Sequence, residues 1–164
     1  MDYSPGLRGV VAGETEISTV GMEGTSLRYR GYDAIELTKT HTYEDVASLI
    51  IDDNLDGKLF KETFTDHYEN LINDKDLIKI VENLKVRQHP MDVMRTAISY
   101  IGEADESNKL EAASKVTAIA CLVIASYNEE PSGQLDADYT VASSLLPNTA
   151  SNQQHEALDD MLIL

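Results

Sequence analysis

Ten consecutive residues, Val116 to Ala125, read Val-Thr-Ala-Ile-Ala-Cys-Leu-Val-Ile-Ala and include a single polar side chain, Thr117. They sit within a helical pattern running from Glu111 to Ser126. A helix that is apolar on nearly every face has to be covered all round. Such a helix either runs through the interior of a large protein or lies between subunits. In a chain of 164 residues, burial between subunits is a real option. Crossing a bilayer is not, because that takes about 20 apolar residues and the apolar run from Ile119 to Ala125 is far shorter.

The segments around this helix are also helical in period. Phe60, Phe64, Tyr68 and Leu71 recur at one spacing, and Leu77, Ile80, Val81 and Leu84 at another. Asp33 is placed to cap a short helix through Leu37. Thr42, followed by Asp45, opens a second to about Ile51 in the manner of a capping box. Pro90 suits a helix first turn, and His89 is placed to cap or pack at that start. From Asp92, the residues Val93, Met94, Ala97, Ile98 and Ile101 form one apolar stripe that Gly102 ends. Further helices are expected from about Asp136 to Leu146 and from Gln153 to Leu164. Only the beginning differs: Glu16–Val20 and Ser26–Tyr29 are β-compatible, and Gly21-Met-Glu-Gly24 between them is turn chemistry, so a short hairpin is expected. The last helix ends on Met161-Leu-Ile-Leu164 without a C-cap glycine or basic last turn, and the chain reads as severed there.

Charge narrows the function classes. Asp and Glu number 29 against 13 Lys and Arg, a net charge of −16. A surface of that sign repels phosphate backbones, so nucleic-acid binding is not expected. Any phosphorylated cofactor would need a local cluster of Arg or Lys. The N-terminus lacks the basic and apolar regions of a secretory signal, and the lone Cys121 has no disulfide partner. Cys121 lies in the apolar run with no basic neighbour and reads as a core thiol. These features point to the cytoplasm.

Motifs that carry chemistry are sparse. His41, His67, His89 and His155 are far apart, and none stands at a zinc-ligand spacing, so no metal site is expected. There is no phosphate-cradling glycine loop and no nucleophile elbow. His155 is expected to be solvated, Arg28 and Arg30 to form structural ion pairs, and Arg95 to face a carboxylate. Composition and spacing alone stop at a mostly helical domain.

Four segments in series carry a resemblance. They are Gly6-Leu-Arg-Gly-Val-Val-Ala-Gly-Glu-Thr15, Ile17-Ser-Thr-Val-Gly21, Leu27-Arg-Tyr-Arg-Gly-Tyr-Asp33 and His89-Pro-Met-Asp-Val-Met-Arg-Thr96 closing at Gly102. Together they resemble the citrate synthase family, in its citrate/2-methylcitrate branch. The resemblance implies an all-α, citrate synthase-type helical large domain with a short N-terminal β-hairpin. Residues 1–164 would be the N-terminal portion of that domain, with the small domain and active-site segments absent. It also implies a homodimer through helices near Asp92–Ile101 and Glu111–Ser126.

Members of this family condense acetyl-CoA or propionyl-CoA with oxaloacetate, a reaction of the tricarboxylic acid cycle type, and hold no permanent cofactor. A carboxylate takes the acyl α-proton and histidines polarise the carbonyl oxygens. The positions that do this lie beyond Leu164, so no catalytic residue is assigned and the chain alone is expected to be inactive. One binding residue carries over. Arg8 matches a family arginine that reaches CoA phosphate across the dimer; the alternative is that it anchors the N-terminal segment. The chain departs from the family after Cys121, where relatives commonly carry a basic, aromatic-rich stretch and this sequence has Ser126-Tyr-Asn-Glu-Glu130. It departs again between Leu49 and Gly57, where relatives usually have a glycine before a leucine-proline pair. A second reading is a non-catalytic helical dimerisation module, or a split subunit derived from the family.

Overall fold

A computed structural model of the chain describes residues 9–11, 13–19, 26–102, 107–128 and 139–164. The sheet within them is small and antiparallel. β1 (Ser18–Thr19) pairs with β2 (Arg28–Tyr29), and β2 with β3 (Tyr32–Asp33). The expected hairpin is therefore present in shorter strands, while its Gly21–Gly24 turn lies outside the described residues. β3 was not expected. Tyr29 and Tyr32 face each other across Arg30-Gly31, and both linking residues have positive φ, 44° and 88°. A two-residue link with that backbone has the twist a hairpin needs, and glycine takes its second position without strain. The Arg30 side chain is anchored elsewhere. Its Nη2 donates to the Ile50 carbonyl at 2.9 Å, and its Nε lies 3.8 Å from Asp53.

Local capping explains most helix starts. Asp33 accepts from the Ile35 and Glu36 amides and opens α1 (Ala34–Thr38). Thr42 and Asp45 form the full capping box of α2 (Tyr43–Asp52). Next come α3 (Lys58–Asn73) and α4 (Lys75–Lys85), the latter capped by Asp74. α5 (Pro90–Ile101) starts where Pro90 cannot donate a hydrogen bond and His89 Nδ1 accepts one from Met91. α6 (Lys109–Ala125) begins at an Asn108 cap, two residues before the expected Glu111. α8 (Asn152–Ile163) starts in a Ser151–Gln154 capping box. α7 is a correction: it spans only Val141–Leu145, not Asp136 to Leu146. Thr140 is extended and accepts from Ser143, a cap that fixes the helix start after it. Residues 136–138 lie outside the described residues.

α6 runs through the middle of this bundle, packed most extensively against α3 and also against α5, α7 and α2. Phe60, Phe64, Tyr68 and Leu71 of α3 share one core with Leu77 and Val81 of α4, Val93 and Ala97 of α5, and Ala118, Ile119, Cys121, Leu122 and Val123 of α6. Aromatic rings reinforce it: Phe64 stacks on Tyr68 at 5.8 Å, and Tyr68 meets Tyr139 at 5.6 Å. A smaller cluster of Leu37, Val46, Leu49 and Ile163 ties the last helix to α1 and α2. There the Tyr29 hydroxyl donates to the Ile163 carbonyl at 3.0 Å.

Candidate functional site

The expected interface helices fare differently. On α5 the apolar stripe is used internally. Val93 and Ala97 are buried, and Met94, Ile98 and Ile101 pack on the same core. Its outward side carries Arg95, whose Nη2 donates to Asp92 at 2.8 Å, with Met91. On α6 the chain covers most of the circumference but not all of it. Val116, Ile124 and Tyr127 are 40%, 42% and 40% exposed, with half-buried Ala120 between the first two. Spacings of four put Val116, Ala120 and Ile124 on one face of α6, and Tyr127 follows in the turn just past its end. Among the described residues nothing covers that face, an apolar strip along the central helix.

A second constellation, at the first turn of α2, was not visible from sequence. The Glu44 side chain is only 2% exposed, and its carboxyl accepts from the Val141 amide at 2.8 Å, fastening α7. One residue earlier, the Tyr43 amide donates to both oxygens of Asp159 on α8, at 3.2 and 3.1 Å. Asp45 accepts from Gly57 at 2.8 Å, fastening the α2–α3 joint. Three carboxyl groups thus converge on one helix N-terminus, whose partial positive charge favours them. Burial and the neighbouring Glu44, Asp160 and Asp45 push the Asp159 carboxyl up to about 6, against the hydrogen bond from Tyr43. A Tyr-Glu-Asp run in a first turn ordinarily faces solvent, so nothing local marks Glu44 as buried.

The histidines lie apart. His41 bonds Thr40 in the α1–α2 connection. His67 is half-buried in a hollow with Asn70, Asp74, Tyr100 and Lys115, and burial lowers its pKa. His89 caps α5. His155 is half-buried and lines a groove with Thr42, Thr140, Ser143 and Asp159, so it is less solvated than expected. Among the described residues, no group of three or more His, Cys, Asp or Glu side chains could hold a metal ion. Cys121 is buried, and burial pushes its thiol up to about 11, which keeps it protonated and unreactive. Arg8, the one expected binding residue, lies outside the described residues.

The helical arrangement is that of solved citrate synthases. It matches the Thermoplasma acidophilum enzyme, solved as a ternary complex with carboxymethyl coenzyme A and oxaloacetate, at a TM-score of 0.77 and 16% identity. The match covers 99% of this chain and 47% of that one. The Thermotoga maritima citrate synthase matches at a TM-score of 0.75 and 21% identity, over 97% and 45% of the two chains. Those likenesses define the fold class.

Sequence comparison goes further. The family model described as citrate synthase, C-terminal domain, matches residues 6–164. The 2-methylcitrate synthase of Shewanella oneidensis is 36% identical over 112 residues, covering 68% of this chain and 30% of its own length. The citrate/2-methylcitrate synthase of Bacillus subtilis is 34% identical over 138 residues, covering 76% and 36%. The chain belongs to the citrate synthase family. It spans about a third of the length of these relatives.

Proposed function

We propose that residues 1–164 form the N-terminal portion of the large helical domain of a citrate/2-methylcitrate synthase, supplying scaffold and dimer interface. The parent reaction joins the α-carbon of acetyl-CoA or propionyl-CoA to the keto carbon of oxaloacetate and hydrolyses the thioester to release CoA. The observation that carries this reading is the family match from residue 6 to residue 164. Catalytic side chains come from outside these residues in this reading, and Arg8 is a CoA phosphate contact. No helix among the described residues is long and apolar enough to cross a membrane.

The purified chain is expected to give no oxaloacetate-dependent thiol release from either acyl-CoA. Turnover above the background hydrolysis rate would place catalytic machinery within residues 1–164 and overturn this division of labour. A chain that is inactive yet self-associates fits both this role and the split-subunit reading. Restoration of activity by the remaining part of the fold, added as a separate chain, selects the latter.

The apolar strip on α6 supports a two-fold contact in which one patch meets its own copy. Ala120→Glu puts a carboxylate at its centre. In a lone chain that side chain reaches water beside Val116 and Ile124. Between two copies it is buried without a partner, which costs several kcal/mol. Light scattering over a concentration series should show self-association in the wild type and at least about tenfold weaker association in Ala120→Glu, since each 1.4 kcal/mol is tenfold. Glu111→Gln, at the start of α6, should change little. A wild-type chain that stays monomeric at high concentration removes the interface.

A further inference from the structure

We propose that α8 is latched to α2 by a proton-sensitive joint: uptake of a proton by the Asp159 carboxyl tightens the docking of α8, and its loss loosens that docking. The geometry comes first. Asp159 is the side chain by which α8 grips the first turn of α2, accepting from the Tyr43 amide at 3.2 and 3.1 Å across 116 residues of sequence. That turn already carries Glu44, buried and bonded to Val141, and Asp45, bonded to Gly57. A third carboxylate is thus brought against two others.

The groups facing Asp159 do little to neutralise it. α2 presents Glu44 and Asp45, and α8 itself carries His155, Glu156 and Asp160. The end of α1 brings Lys39, whose ammonium is held by Glu36 at 2.6 Å, and the loop after it brings His41. The five residues of α7 hold no charge. Among the described residues, no lysine or arginine forms an ion pair with Glu44, Asp45 or Asp159. What opposes the repulsion is the α2 amide end and the packing of Ile163 with Leu37, Val46 and Leu49.

The sign follows from burial and these neighbours raising the Asp159 carboxyl from 3.8 to about 6. A released α8 would leave the group near its ordinary value, so the docked state holds the extra proton between those two values. Docking is therefore strongest at the acid end of that window and weakens as pH rises through about 6. Above about pH 5 roughly one unit of that shift is still to be lost, which corresponds to about tenfold in docking. The joint adds a conformational response to the family role and does not depend on it.

Hydrogen exchange of the intact 164-residue chain tests this, with α8 amides compared against α6 amides after correction for intrinsic exchange. In the wild type, α8 exchange is expected to speed up about tenfold between about pH 5 and about pH 7.5, while α6 stays flat. Asp159→Asn keeps an oxygen acceptor for Tyr43 and should abolish the rise. Asp160→Asn and His41→Gln should keep it. A flat wild-type profile, a rise that survives in Asp159→Asn, or one lost in His41→Gln would overturn the latch. Should Asp159→Asn fail to fold, the carboxyl-carbon NMR titration of wild-type Asp159 decides. A midpoint near 6 supports the joint, and one near an ordinary aspartate refutes it.

Discussion

Phe64→Ala is expected to destabilise the chain by about 3–5 kcal/mol, close to the whole stability margin of a typical domain. Phe64 is fully buried at 0% exposure, one turn from Phe60 and one from Tyr68, on the face of α3 that meets α6. Truncation removes the stacking contact with Tyr68 at 5.8 Å and leaves a ring-sized cavity against the central helix. Both terms act in the same direction: folding removes less apolar surface from water, and the cavity collapses only partly between two long helices. Thermal unfolding should shift down by about 10 °C for a chain of this size. The urea midpoint should fall with an unchanged slope. Phe64→Leu, which keeps most of the volume, should cost less than half as much. A Phe64→Ala variant within about 1 kcal/mol of wild type would mean that the α3–α6 seam is not the core of this fold.

That seam was legible in the sequence because one period ties Phe60, Phe64, Tyr68 and Leu71 to a single face, and a helix face so marked has to be buried. Periodicity says which face is apolar, but not what covers it. The α5 stripe from Val93 to Ile101 reads equally well as core or as interface, and the structure spends it on the chain's own core. α6 poses the reverse problem. Its run from Val116 to Ala125 is apolar in every direction, so no face can be chosen until α2, α3, α5 and α7 have taken theirs. What is left over is the strip through Val116, Ala120 and Ile124. Caps were legible because Asp33, Thr42 and Asp45 act within three residues of themselves. The carboxyl node was not, because Glu44 meets Val141 and Asp159 meets Tyr43 across 97 and 116 residues. The candidate site was legible only through resemblance. Its one carried-over residue, Arg8, stands in a segment outside the described residues.

Gly57→Ala is the second change expected to be severe, and here the cause is crowding rather than loss. Gly57 is buried at the turn between α2 and α3, where its amide donates to Asp45 at 2.8 Å. A Cβ at this position would lie 2.5 Å from the Asp45 nitrogen and 2.5 Å from the Glu44 carbonyl carbon. Both are backbone atoms of a capped helix turn, so no side chain can swing aside to relieve the overlap. Backbone φ is −77°, a value alanine adopts freely, so the penalty is purely steric. Relief requires α3 to move away from α2, which breaks the Gly57–Asp45 bond and loosens the turn that Glu44 and Asp159 also grip. Overpacking typically costs 1–3 kcal/mol, and a clash with two immovable backbone atoms belongs at about the top of that range. Alanine in place of glycine would otherwise stabilise the start of α3 by about 0.5–1 kcal/mol through reduced backbone entropy, so the sign of the change is itself diagnostic. A lowered urea midpoint, with faster exchange of the Val46–Leu49 amides, is the expected result. A stabilised Gly57→Ala variant would show that α2 and α3 do not approach each other this closely.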